Sequence, residues 1–122
     1  MKYSESLKKN RDFQNVYRRG RSYANRYLIM YVLPNDTERN RFGISVSKKV
    51  GNSVIRHHLT RQLREIYRLH EDMFSSGLDI VVIARNTARG TSYRELESAL
   101  LHLGGLQKIL KESRKSEKEK ME

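Results

Sequence analysis

The sequence predicts one mixed α/β domain, on three observations. Short runs rich in β-forming residues alternate with helical periods along the chain, and a helix with one apolar and one arginine-bearing face lies at its centre. The segment Leu78 to Ala84 (LDIVVIA) is the most apolar run and suits an interior strand covered on both sides. At 122 residues the chain fits one domain, long enough to bury a core without staples.

Residues 1–9 are polar and basic and read as a flexible arm before a single domain over 10–111. Asn10 is placed to cap a helix through Tyr17, and Gly20 to end it in the left-handed conformation glycine tolerates. Phe13, Val16 and Tyr17 share a face of that helix by their three- and four-residue spacings, with Arg11, Arg18, Arg19 and Arg21 around them. Val16 is expected in the core. Phe13 and Tyr17 suit either packing on a sheet or stacking of unpaired bases beside cations.

Ser22 to Arg26 gives a weak signal for a short leading strand, and Tyr27 to Leu33 (YLIMYVL) a stronger one that ends at the Pro34-Asn35 turn. After a polar loop to Asn40, Phe42, Ile44 and Val46 alternate with Gly43, Ser45 and Ser47, a half-buried strand whose second face is small and polar. Small residues leave room. With Tyr31 and the Phe13/Tyr17 helix nearby, that face is expected to hold a groove.

The stretch Ser45 to Arg68 (SVSKKVGNSVIRHHLTRQLREIYR) runs from strand through a lysine pair and a Gly-Asn helix start into the central helix, Ile55 to His70. At about 100° per residue, Ile55, Leu59, Leu63 and Ile66 form its apolar stripe and Arg61, Arg64 and Arg68, with His57, fall opposite. Glu65 is the single acid in reach. Such a face invites an anionic partner, and a helix start flanked by Lys48 and Lys49 suits a phosphate. Beyond the interior strand, Ser92 with Glu95 makes a capping box and Leu96, Leu100 and Leu103 give the next helix its buried stripe. Gly104-Gly105 is expected to break that helix or join it to a last one, Leu106 to Lys111. Residues 112–122 alternate in charge and read as a disordered tail.

Composition narrows the function. The formal charge of +11, with a pI near 10.1, points to a polyanion. Residues 1–70 hold sixteen Lys and Arg against five acids, whereas residues 71–122 hold nine of each, so the partner is expected to meet the N-terminal part. The chain has no cysteine, hence no disulfide or thiolate metal site. Without a secretory signal or an apolar run near the roughly 18 residues of a membrane span, it reads as soluble and cytoplasmic.

Catalysis by the chain itself finds little support. His57 and His58 are adjacent and point about 100° apart on a helix, His70 sits on the apolar stripe, and His102 belongs to another helix. That is a poor acid–base pair for phosphodiester cleavage. There is no HExxH, and Asp12, Asp36 and Asp79 are scattered. The Lys48-Lys49-Val50-Gly51-Asn52 turn lacks the spacing and ending of a nucleotide-binding phosphate loop.

The blocks FQNVYRRG, SYANRYLIMYV, FGISVSKKVGNSVIRHHLTRQLRE and DIVVIAR, in that order, resemble the protein subunit of bacterial ribonuclease P over about residues 8 to 110. The resemblance implies a two-layer α/β sandwich of order α-β-β-β-α-β-α on a four-stranded mixed sheet, an α+β fold with a left-handed βαβ crossover against the general rule. It implies removal of the 5′ leader from precursor tRNA, with the catalytic centre and its Mg2+ held mainly by a large RNA subunit. On this resemblance Lys48, Lys49, Arg56, His57, Arg61, Arg64 and Arg68 are expected to bind the RNA subunit. Phe13, Tyr17, Asn25, Arg26, Tyr31 and Ser47 are expected to bind the leader; no membrane and no protein partner are implied. Where the family reads Arg-Asn-Arg, an apolar residue, Lys and Arg, this chain has Arg56, His57, His58, Leu59, Thr60 and Arg61. Two cations have thus become His58 and Thr60, and an ordinary imidazole is mostly neutral at pH 7 unless phosphates favour its charged form. A ribosomal-type RNA-binding module and a self-sufficient nuclease remain the competing readings.

Overall fold

The apolar run Leu78–Ala84 is strand β5 and lies at the centre of a mixed sheet. The computed structural model describes residues 1–111; the charged segment 112–122, expected as a disordered tail, lies outside the described residues. In chain order the other elements are β1 (Ser4–Ser6), α1 (Asn10–Arg19), β2 (Arg21–Ala24), β3 (Leu28–Pro34), β4 (Asn40–Val46), α2 (Ser53–His70) and α3 (Tyr93–Leu106). The strands stand in the order β1-β4-β5-β3-β2. β5 pairs antiparallel with β3 and parallel with β4, so α2 is the crossover between two parallel neighbours.

Alternation along β3 divides the two faces. Leu28, Met30 and Val32 point into the main core with Phe42, Ile80 and Val82, and there they meet Leu59, Leu63, Ile66 and Tyr67 of α2 and Leu96, Leu100 and Leu103 of α3. Tyr31 and Leu33 point the other way, into a smaller cluster with Leu7, Val16, Val81 and Ile83, on which α1 rests. One face is thus covered by two helices, the other by one. The expected helix stripes are met, and α2 and α3 are capped where expected: Asn52 accepts from the Ile55 amide at 3.0 Å, and Ser92 and Glu95 close their capping box.

The sheet has five strands where four were expected, because residues 1–9 are no simple arm. Ser4–Ser6 pairs in parallel with Asn40–Phe42. The buried Glu71 carboxylate accepts the backbone N–H groups of Lys2 and Tyr3 at 2.5 and 3.2 Å, and Ser4 Oγ lies 2.8 Å from the Tyr67 hydroxyl. Tyr67 in turn stacks on Phe42 at 4.0 Å between ring centres, and burial pushes its hydroxyl pKa up. Leu7 then plugs the smaller cluster.

Three local expectations change, two of them, at glycines, for steric reasons. The cap position of α1 is Lys9, without a side-chain bond, and Asn10 is already helical. Gly20 is extended, not left-handed; a β-carbon there would meet the Val16 carbonyl oxygen at 2.5 Å and that of Val32 at 3.1 Å. Gly104-Gly105 neither breaks α3 nor leads to another helix. α3 runs through them, and Gly104 gives space to Leu110, which returns to pair with Phe74.

Candidate nucleic-acid interface

Two surfaces on opposite sides of the sheet collect the residues singled out from sequence. On the outer side of α2, His57, His58, Arg61, Arg64 and Arg68 are exposed while Leu59, Leu63, Ile66 and Tyr67 are buried, so one amphipathic period builds both the core and the cationic face. Among the described residues no carboxylate lies within 4.0 Å of Arg61 or Arg64. Arg68 differs. Its guanidinium forks onto Glu65 at 2.5 and 3.0 Å, a pair that holds the Glu65 carboxyl below the usual carboxylate range.

The turn that leads into α2 carries Ser47, Lys48 and Lys49 exposed, pinned by the buried Val50, whose amide donates to the Ser47 carbonyl at 3.1 Å. Arg56 is half-buried and donates from Nε to the Gly51 carbonyl at 3.2 Å. Thr60 spends its hydroxyl on the Arg56 carbonyl at 2.8 Å. A shallow cavity at this end is lined by Ser53, Val54, His57, His58 and Arg61.

The second surface is the face on which α1 lies. Phe13, Tyr17 and Tyr31 form a chain of half-buried rings, with centroids 6.3 Å apart for the first pair and 5.2 Å, edge to face, for the second. Val16 is fully buried beneath them, as expected. Strand register extends this face beyond the helix. Tyr31 stands beside Ser22 and Val81, and Ile29 beside Ala24 and Ile83, with Ser45 next to Ile83. Ile29, Ser45 and Ile83 are half-buried, giving a partly covered floor next to the aromatic wall. Ile29 and Ile83 were not picked from sequence, although their parity with Tyr31 is readable in YLIMYVL once the register is known.

Gly43 does not contribute empty space to that floor. A β-carbon there would fall 2.6 Å from the Phe13 ring and 3.1 Å from Leu7, so the ring already fills the gap. Asn25 is also placed differently from the groove residues. Its amide donates to the Ala99 carbonyl at 2.9 Å and approaches His102 Nδ1 at 3.2 Å, while its oxygen accepts the Tyr27 and Leu28 amides. It braces the β2–β3 turn against α3. Arg26 beside it is exposed and lies 5.4 Å over the Tyr27 ring. Arg21, expected near the first helix, is tied to Gln107 on the α3 side at 2.9 and 2.7 Å.

The histidines are dispersed, with Nε2 of His70 2.9 Å from a Glu97 oxygen. Among the described residues no three His, Asp or Glu side chains gather as a metal site. Asp12 and Asp79, scattered in sequence, do meet, but across the guanidinium of Arg41. No helix among the described residues is long and apolar enough to cross a membrane.

A cationic helix face and a partly open, aromatic-walled sheet on a small α+β domain define a nucleic-acid-binding subunit. Comparison with known proteins makes this specific: the family model for ribonuclease P matches residues 1–109, and the chain belongs to that family. It is 56% identical over 110 residues to the ribonuclease P protein component of Lachnoclostridium phytofermentans, covering 90% of this chain and 95% of that one. Identity to the component from Alkaliphilus metalliredigens is 52% over 103 residues, covering 84% and 93%. Among solved structures, the Staphylococcus aureus ribonuclease P protein superposes with a TM-score of 0.81 at 37% identity, covering 88% of this chain and 98% of that one. The Thermotoga maritima protein gives 0.77 at 32% identity, covering 82% and 94%. The chain is therefore an accessory subunit of an endoribonuclease and associates with ribonuclease P RNA.

Proposed function

We propose that α2 and the Lys48–Lys49 turn dock the RNA subunit, while the face beside α1 receives the single-stranded 5′ leader of precursor tRNA. Arg61 and Arg64, with Lys48, Lys49, Arg56 and the exposed His57, supply the docking contacts; Arg68 joins them once it leaves Glu65. Docking neutralises phosphates and releases counterions, so it weakens steeply with salt. Phe13, Tyr17 and Tyr31 stack leader bases with little regard to sequence, Ser47 and Arg26 line the approach, and Asn25 holds the turn that carries Arg26. Magnesium belongs mainly to the RNA subunit, which supplies the cleavage chemistry; this chain binds and orients. Because mature tRNA lacks a leader, the groove favours substrate over product.

The observation that carries this reading is the half-buried row Phe13–Tyr17–Tyr31 beside a sheet face covered by one helix alone. Binding of precursor and mature tRNA by the reconstituted holoenzyme tests it. Phe13→Ala or Tyr17→Ala is expected to weaken precursor binding by about 1–3 kcal/mol, the worth of a stacked base, and to leave mature tRNA binding unchanged. Equal loss for both substrates refutes the groove, and cleavage of precursor by the protein without RNA refutes the division of labour.

A further inference from the structure

On the groove face, Arg41 of β4 stands directly beside Asp79 of β5. Its Nε donates to one Asp79 oxygen at 2.8 Å and one terminal nitrogen to the other at 2.6 Å. Asp79 is 2% exposed and accepts a further N–H from Asn35 at 3.0 Å, so this fork is anchored in the sheet. A fork of this kind is complete without α1. Yet the remaining terminal nitrogen of Arg41 donates to Asp12, in the first turn of α1, at 3.2 Å.

Asp12 immediately precedes Phe13, whose ring sits over Gly43. The other end of α1 is held at Gly20, where a β-carbon would fall 2.5 Å from the Val16 carbonyl oxygen and 3.1 Å from that of Val32. Between these points the helix touches the sheet through Val16, Phe13 and Tyr17, apolar contacts whose attraction is non-directional. The Arg41–Asp12 bond is directional. It anchors the N-terminal turn of α1, whose far end is already fixed where Gly20 leads into β2, and Tyr17, one turn beyond Phe13, stands edge-on to Tyr31 between the two anchors.

We propose that Asp12 and Arg41 are positioning residues for leader recognition: their bond places α1 along the sheet and so sets the spacing of the Tyr17–Tyr31 wall. This rests on the leader-groove reading above. Neither residue touches the leader; both act through α1.

The test uses holoenzyme reconstituted from full-length protein and its RNA subunit, with three variants: Asp12→Asn, Asp12→Glu and Phe13→Ala. For each, affinity for the RNA subunit is measured together with the ratio of precursor to mature tRNA affinity, and a leader carrying 2-aminopurine reports stacking by fluorescence quenching. Asp12→Asn keeps shape and loses the charge; it is expected to lower the precursor-to-mature ratio on the order of tenfold and weaken quenching, with RNA-subunit affinity unchanged. A purely structural role would instead lower RNA-subunit affinity and leave the ratio intact. If Asp12→Asn also impairs RNA-subunit binding, Asp12→Glu decides. It retains the charge but displaces the helix, so docking should return without the ratio, and return of both overturns the inference. An unchanged ratio in Asp12→Asn alongside a lowered one in Phe13→Ala leaves the groove standing and removes the positioning role. An unchanged ratio in both removes the groove itself.

Discussion

Gly43 shows how a single residue acts through what it lacks. A glycine on a strand reads as an opening, but here the opening is occupied by Phe13, whose ring tip reaches the sheet through the space of the missing side chain. Gly43→Ala is expected to force the ring away at a cost of about 1–3 kcal/mol, read as a lower urea midpoint, and to weaken precursor binding along with it. An unchanged midpoint would mean that the ring tilts aside without loss. Glu95 works by charge. The Tyr27 hydroxyl donates to it at 2.8 Å and Ser92 donates from its hydroxyl and amide, which together hold the carboxyl below the usual glutamate range. A carboxylate lowered on folding contributes stability above its unfolded value and loses it as pH falls through the folded one. Glu95→Gln should therefore melt below the wild type at pH 7, and the gap between the two should close below about pH 4. Parallel melting curves down to low pH would exclude the mechanism.

At the scale of the element, α2 was legible in nearly every particular and β1 in none, and the difference is one of range. The apolar stripe, the Asn52 cap and the arginine face of α2 are set by neighbours within four residues, which a sequence displays directly. β1 exists because Ser4–Ser6 finds Asn40–Phe42 and because Glu71 and Tyr67 receive its polar groups, partners some 36 to 69 residues away. The same holds for Asp12 and Asp79, which became neighbours only through the strand order. In the candidate site the aromatic row was visible as helix and strand periodicity, whereas Asn25 was expected in the groove on the resemblance alone, and nothing local reveals that its amide turns to α3. Nor does a list of arginines reveal which are engaged. Glu65 holds Arg68, so Glu65→Gln should release it toward phosphate and steepen the salt dependence of RNA-subunit binding by up to about 0.9 in log–log slope. Arg64→Ala should make the slope shallower by a similar amount, and if neither variant changes it, the outer face of α2 is not the docking surface.

For the molecule as a whole, the question is how so basic a domain stays folded before it meets RNA. Sixteen of its cations fall in residues 1–70 against five acids, and among the described residues ion pairs engage Arg39, Arg41 and Arg68 alone of the arginines and lysines. Repulsion among the rest opposes compaction, so any anion that binds the folded chain more tightly than the unfolded one adds stability by mass action, about 2.7 kcal/mol at a hundredfold excess over its dissociation constant. Sulfate or phosphate is therefore expected to raise the melting temperature more than chloride at equal ionic strength. Sulfate also strengthens apolar burial in any protein, and this general effect has to be subtracted. The Arg61→Ala/Arg64→Ala double variant does so, since it keeps the core and removes two exposed cations from α2. Wild type should gain more from sulfate than the double variant while both respond alike to chloride. Identical sulfate gains would leave only the general effect and show that the arginine face of α2 binds no anion in the absence of RNA.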